Sequence, residues 1–324
     1  MKDQKRRIPD LVPFGSYPQG RVTDRALLKK LNEAAGALPT KEESGEWTSY
    51  HYYHRRKNDL DYMWYRDVTL DGQKYRCVYF TKYRPYVASL NAGKTASNLT
   101  RFGFVRKRRY WYRFEPILWR LFSVKKGEVF LFSDRILDGQ SFRTFGFYGR
   151  KIKRDGVVFP SNDYAQSDLR VWLNEVFFST AFSEEEQKMI LSTHVDNGVR
   201  SYLPDEEQFT DPDFKVFEHC EDTEDKIFLL SYKEVTTAFY GFDPDPEQKD
   251  PARDLKVTDY AASQGIWFYR GDDESRGSGW WWLRTPVSYS NMNVRLCEVE
   301  GDLTFYDAAT CLGGIAPALR VRIL

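Results

Sequence analysis

The stretch GSGWWWLRTPVSYSNMNVRL, starting at Gly277, sets three consecutive tryptophans beside Arg284 and then breaks into small polar residues. Indole rings are among the largest apolar surfaces a chain carries. The run is therefore either a binding surface or a core, and the fold has to be built around whichever it is. Composition favours a packed chain: aromatic residues make up 16% and charged residues 29%, so ring area is available to offset the entropy of ordering. At 324 residues the chain makes one large domain or two ordinary ones, and hides roughly three quarters of the surface it exposes when unfolded. Its 48 Lys and Arg stand against 47 Asp and Glu. That balance argues against a general nucleic-acid binder and against an acidic, solvating chain.

The N-terminal MKDQKRRIPDLVPFG begins basic but enters no apolar run of signal-peptide length. No stretch approaches eighteen uninterrupted apolar residues, so no membrane span or membrane partner is expected. Cys77, Cys220, Cys297 and Cys311 are widely spaced without a C-x-x-C, which speaks against a zinc ribbon or a disulfide scaffold. A cytoplasmic location is expected, with export by another route left open.

Local patterns give short strands, short helices and long polar loops. TDRALLKKLNEAAGALP predicts a helix capped by Thr23 and stopped at Gly36. KYRCVYFTKY, from Lys74, reads as a strand. EPILWRLFSV and GEVFLFSDRIL, from Glu115 and Gly127, read as two more, joined by a hairpin turn at KKG. SDLRVWLNEVF predicts a helix capped by Ser167, with Leu169, Trp172, Leu173 and Val176 on its buried face. Ser183 with Glu186, and Ser231 with Glu234, form two capping boxes that start further helices.

Metal and catalytic signatures are missing. Asp205, Glu206, Glu207, Asp211 and Asp213 in the acidic loop 204–225 follow no calcium-loop spacing, and His51 and His54 sit in a tyrosine-rich run that reads as strand or loop. No G-x-S-x-G, Walker loop, G-x-G-x-x-G or H-E-x-x-H occurs. No cofactor, metal or catalytic residue is therefore expected. The stretch RFGFVRKRRYWYRF, from Arg101, interleaves rings with arginines as single-strand binders do. It equally describes a twisted strand with aromatics inward and arginines outward.

Several blocks in order resemble a bacterial family of unknown function: VPFGSYPQ, YRDVTLDGQKYRCVYFTKYRP, YWYRFEPILWRLF, LRVWLNEVFFSTAFSEEEQKMI, DKIFLLSYKEV and VTDYA, then WWLRTP and a closing GGIAPAL. The family pattern there is Trp-Trp-Leu-Arg-Ser-Pro and Gly-Val-Arg-Pro-Ala-Leu. Thr285 thus replaces a serine, and Ile315-Ala316 replaces Val-Arg ahead of Pro317. More distantly, the ending resembles the C-type-lectin fold in its formylglycine-generating-enzyme-like branch, which includes ligand-display proteins. This resemblance implies an α+β chain with a C-type-lectin-like core of short twisted antiparallel strands, a few short helices and long loops. Residues 1–8 form a disordered basic N-terminus, 9–112 an N-terminal portion packed on the core, and 113–324 the core itself, with a variable exposed hairpin at 287–310. Strand alternation then turns Trp281 and Leu283 inward and Trp282 and Arg284 the other way, with Pro286 ending the strand.

The implied function is non-catalytic binding or display of a macromolecule or glycan. The ligand-contacting residues are Trp282, Arg284, Tyr289, Asn291, Asn293, Arg295, Tyr306 and Asp307, a mix of rings and adaptable polar groups suited to such surfaces. The alternatives are an oxidase of the formylglycine-generating type using Cys297 and Cys311, and single-stranded nucleic-acid binding through residues 101–113. Nucleic acid is not an expected partner. Titration against single-stranded and duplex oligonucleotides should show no micromolar, salt-sensitive binding; such binding, abolished when Arg106, Lys107, Arg108 and Arg109 become Ala, would reverse that ranking.

Overall fold

The computed structural model describes residues 10–40, 43–49, 63–81, 99–143, 152–154, 157–159, 161–198, 220–287, 290, 292–308 and 312–323. Thirteen strands within them build two sheets of eight and five strands. In chain order these are β1 (Leu11–Arg21), β2 (Thr48–Ser49), β3 (Met63–Leu70), β4 (Gln73–Phe80), β5 (Arg109–Lys125), β6 (Glu128–Ser133), β7 (Asp138–Ser141), β8 (Ile227–Leu229), β9 (Trp281–Pro286), β10 (Asn293–Cys297), β11 (Leu303–Asp307), β12 (Leu312–Ile315) and β13 (Pro317–Arg322). The larger sheet runs β8-β13-β6-β5-β4-β3-β2, with β1 also on β5. The smaller runs β11-β10-β9-β12-β7, antiparallel except for β9 beside β12. With a few short helices between strands, the architecture is α+β with mostly antiparallel sheets.

β5 is the seam of the larger sheet. Tyr112 pairs with both Arg76 and Arg21, and Trp119 with both Val12 and Ser133. One edge of β5 therefore carries β1, while the other passes from β4 to β6. This seam runs through residue 112, so residues on either side of that expected boundary share one sheet. The first and last described segments end on the same hairpin: the Asp10 carbonyl accepts from Leu121 N at 2.9 Å, and Ile323 N donates to the Gly127 carbonyl at 2.8 Å.

Turn and cap chemistry behaves as the sequence predicts in several places. Lys126 and Gly127 both take positive φ, 53° and 77°, the backbone of a two-residue hairpin whose twist matches the flanking strands. Both capping boxes form, with Ser183 and Ser231 accepting from the amides of Glu186 and Glu234 and the glutamates reaching back to the serine amides. The first helix, Arg25–Ala34, is capped by Asp24 rather than Thr23: its carboxylate accepts from Leu27 N at 2.7 Å. In the segment after Ser167, the helix Asp168–Trp172 runs straight into a π-helical turn, Leu173–Phe177. The wider turn resets the inward face, so Leu169, Leu173 and Phe177 are buried, Trp172 is only half-buried and Val176 is exposed. The buried face predicted through Val176 is corrected accordingly.

The tryptophan run is core throughout. Trp280, Trp281 and Trp282 are 3%, 0% and 0% exposed, and every residue of β9 is buried. Alternation holds, but it divides the run between two apolar clusters. Trp282 joins Trp119, Leu131, Leu296 and Leu319, while Trp281 and Leu283 join Phe130, Phe132, Leu230 and Ala318. The face expected to look outward is thus a second interior. The Trp281 indole N–H donates to the Arg253 carbonyl and that of Trp282 to the Gln140 carbonyl, both at 3.0 Å. Gly313 on β12 is required by this packing, because a Cβ there would collide with the rings of Trp280 and Trp282.

The rings of the basic stretch also turn inward: Phe104, Tyr110, Trp111 and Tyr112 are buried while Arg106, Lys107 and Arg108 are exposed. Trp281→Ala should lower unfolding stability by about 3–5 kcal/mol, the range for deleting a fully buried ring, whereas Trp172→Ala should cost clearly less. Denaturant midpoints for the two variants provide the check, and equal losses would contradict the packing described.

Candidate ligand-contacting surface

The described residues of the segment 287–310 include β10, in the middle of the smaller sheet, and β11, at its edge. β10 is interior, flanked by β9 and β11, so Val294, Arg295, Leu296 and Cys297 are buried, as are Val287 and Ala308. The expectation of a wholly exposed hairpin is corrected to an exposed edge on a buried strand. β11 pairs with β10 in the register Asn293↔Asp307, Val294↔Tyr306 and Arg295↔Phe305. Asn293 and Asp307 are therefore brought face to face and are half-buried. Tyr306, 41% exposed, opens to the opposite face. Its ring meets Trp280 edge-on at 5.3 Å, and its hydroxyl hydrogen-bonds the Glu298 carboxyl, which burial pushes above the usual carboxylate range.

Three of the predicted contact residues lie inside. Trp282 is core, as described. Arg284, 4% exposed, donates to the carbonyls of Asp196 and Leu229, at 3.1 and 2.6 Å, and to Glu234 Oε2 at 2.5 Å. That same carboxylate oxygen accepts from Ser231 N at 2.7 Å, so Arg284 is tied into a helix cap. Thr285 completes it, its hydroxyl accepting from Tyr232 N at 2.9 Å; a serine would supply the same oxygen. Arg295 is 7% exposed, with its guanidinium 5.0 Å from the ring centre of Tyr232 and 5.6 Å from that of Phe305. Desolvation pulls its pKa down to about 10. Alternation turns Arg284 outward and the hairpin reading exposes Arg295; the layer that covers them comes from segments distant in sequence. Tyr289 and Asn291 lie outside the described residues.

Asn162 carries no catalytic motif and was not among the predicted residues, yet it touches the hairpin directly. Its buried carboxamide donates to the carbonyls of Ser290 at 2.7 Å and Asn293 at 2.9 Å. The contact spans more than a hundred residues, and only the polar cluster SND ahead of a helix marks the position. Next to it, the Asp163 carboxyl is 1% exposed, accepts from Ala165 N at 2.9 Å and hydrogen-bonds the Cys220 thiol. Burial pushes it up to about 6 despite the nearby Arg143.

Cys297 is fully buried, and burial holds its thiol well above the ordinary range, so the reactive thiolate is disfavoured there. Cys311, His51, His54 and the acidic residues 205–213 lie outside the described residues. Among the described residues, no group of three or more His, Cys, Asp or Glu is placed to hold a metal. An open cleft of about 700 Å³ lies elsewhere, lined in part by Asp254, Lys256, Asp273 and Glu300. Three of its acids already have partners: Glu300 pairs with Lys249, Asp254 accepts from Ser275 Oγ at 3.0 Å, and Asp273 accepts from the Tyr269 hydroxyl at 2.7 Å.

A family model described as a domain of unknown function (DUF6273) matches residues 126–323, from the turn between β5 and β6 to the end of the last strand. The chain belongs to this family. The match takes in all five strands of the smaller sheet, β7 and β9 to β12. Ile315 and Ala316, the two departures noted ahead of Pro317, are both fully buried; an arginine at Ala316 would have to find a partner among apolar neighbours. No curated protein and no solved structure matches the chain.

Asp163 sets a pH signature. A carboxyl whose pKa is raised on folding binds its proton more tightly in the folded state, so its contribution is most favourable below about pH 4 and is lost as the pH rises through 6. Asn cannot ionise. Asp163→Asn should therefore gain stability relative to the parent between pH 4 and 7, by on the order of 2 kcal/mol. Thermal or urea unfolding of both proteins across that window tests it, and a constant difference would show that Asp163 does not titrate there.

Proposed function

We propose that the protein is a non-catalytic binding or display protein whose ligand, a glycan or another macromolecule, is contacted at the edge strand β11 and the adjoining hairpin. The observation that carries this reading is Tyr306. It is the exposed ring of β11, and it is braced by Trp280 and by Glu298. A ring fixed before contact loses little entropy on binding and serves as an anchor. Asn293 and Asp307, paired across the strands, add adaptable hydrogen-bonding groups on the other face of the same sheet edge. We read the smaller sheet and its long connections as a C-type-lectin-like core, an inference from fold-level likeness.

The alternatives are less well supported. An oxidase using Cys297 needs an accessible thiolate, and that thiol is enclosed. Single-strand binding through residues 101–113 needs rings on which bases stack, and the rings of Tyr110, Trp111 and Tyr112 are buried.

Replacing Asn293, Tyr306 and Asp307 together by Ala should leave the fold intact at a cost of about 1 kcal/mol, since partly exposed groups contribute little individually. The parent should capture ligands on a glycan array that the triple variant fails to capture. Equal capture by both proteins, or none by the parent on glycan and protein arrays alike, would overturn the reading.

A further inference from the structure

The hairpin that joins β9 to β10 is held from outside by a buried loop, residues 161–163. Asn162, 2% exposed, directs one carboxamide nitrogen at three carbonyl oxygens of the hairpin: Ser290 at 2.7 Å, Asn293 at 2.9 Å and Val287 at 3.5 Å. The hairpin's own bonds converge on the same atoms. Val287 N donates to the Asn293 carbonyl at 2.9 Å, and Ser290 N to the Val287 carbonyl at 3.2 Å. Ser290 Oγ accepts from Met292 N and Asn293 N at 3.1 and 3.2 Å.

The contact is closed into a circuit. The Met292 carbonyl accepts from Ala308 N at 2.8 Å, directly after β11, and the Ala308 carbonyl accepts from Arg143 N at 2.9 Å. The Arg143 guanidinium, itself buried, returns to the loop through the carbonyls of Ser161, at 3.0 Å, and Gln166. The start of β10 and the end of β11, which lie side by side, are thus referenced to residues 161–166 through their own main-chain atoms, whatever side chains the edge carries.

We propose that Asn162 is the positioning residue of the candidate contact surface, fixing where the hairpin and the Asn293–Asp307 pair stand on the sheet. Its value for this surface rests on the binding role proposed above; the positioning itself does not. A carboxamide suits the task because its NH2 offers two donors to carbonyl oxygens without bringing a charge into a buried site. Aspartate would face those oxygens with a carboxylate, and alanine would leave them short of donors.

Amide hydrogen exchange tests this. In Asn162→Ala, the amides of Val287, Ser290, Met292, Asn293 and Ala308 should exchange at least tenfold faster than in the parent. Those of Leu131, Phe132 and Leu319, in the other sheet, should be unchanged, because local opening and global unfolding are separable in exchange. If Asn162→Ala does not fold, Asn162→Ser, which keeps one donor, is read in the same way. Hairpin amides that stay protected would overturn the proposal. So would equal acceleration everywhere, or loss of the fold in both variants, since each places Asn162 in the cooperative core instead. Local loosening together with unaltered glycan capture by the Asn293/Tyr306/Asp307 triple variant would leave the positioning role standing and remove the binding role.

Discussion

Burial of β9 on both faces is the constraint from which the rest of the structure follows. A strand with Trp281 and Leu283 on one side and Trp282 on the other needs two apolar layers, and no single sheet packed on one layer of helices can supply both. The larger sheet answers by alternating in the same way: on β6, Val129 and Leu131 serve one cluster while Phe130 and Phe132 serve the other. Strands covered on both faces read as nearly continuous apolar runs, which is why GEVFLFS and GWWWL look alike in character. Gly313 of β12 belongs to the same solution, because the indoles of Trp280 and Trp282 lie where a side chain would otherwise stand.

Two apolar interiors leave little room for polar groups, so those that enter are bonded at several points. Arg284 joins two carbonyls and the carboxylate that closes a helix cap. Arg253, fully buried, donates to the carbonyls of Val235, Asp243, Asp245 and Gln248. Leaving such donors unmet would cost about 1–3 kcal/mol each, which makes these arginines organisers of the loops around them. Their donors are directed at main-chain oxygens and their charges face the carboxylates of Glu234 and Asp250.

Several signals were legible where the physics is local, although the cap of the first helix fell on Asp24 and not Thr23. Ser183, Ser231 and the Lys126–Gly127 turn are decided by neighbours within three residues, and the sequence predicts each. The π-helical turn at Leu173–Phe177 was not legible, because nothing in the 3.6-residue period announces one extra residue; Asn174 reveals its purpose only in three dimensions. There its amide nitrogen donates to the Ile227 carbonyl at 2.9 Å and its oxygen accepts from Lys226 N, also at 2.9 Å. The site shows the same division. Tyr306 and the Asn293–Asp307 pair sit at a sheet edge that polar patterning can indicate, whereas Arg284, Arg295 and Asn162 depend on segments far away in the chain. Period-two alternation tells which side of a strand a residue takes; it cannot tell whether that side is covered.

The stitching of Asp10 and Ile323 to a single hairpin has a consequence for connectivity. Going across the sheet, β1, β5, β6 and β13 are successive neighbours, and three inter-strand spacings amount to about 15 Å. The start of β1 and the end of β13 both lie at the end of the sheet where Lys126 and Gly127 turn, as their registers with β5 and β6 require. One tight hairpin thus anchors Asp10 and Ile323 together, so loosening it would release the start of β1 and the end of β13 at once.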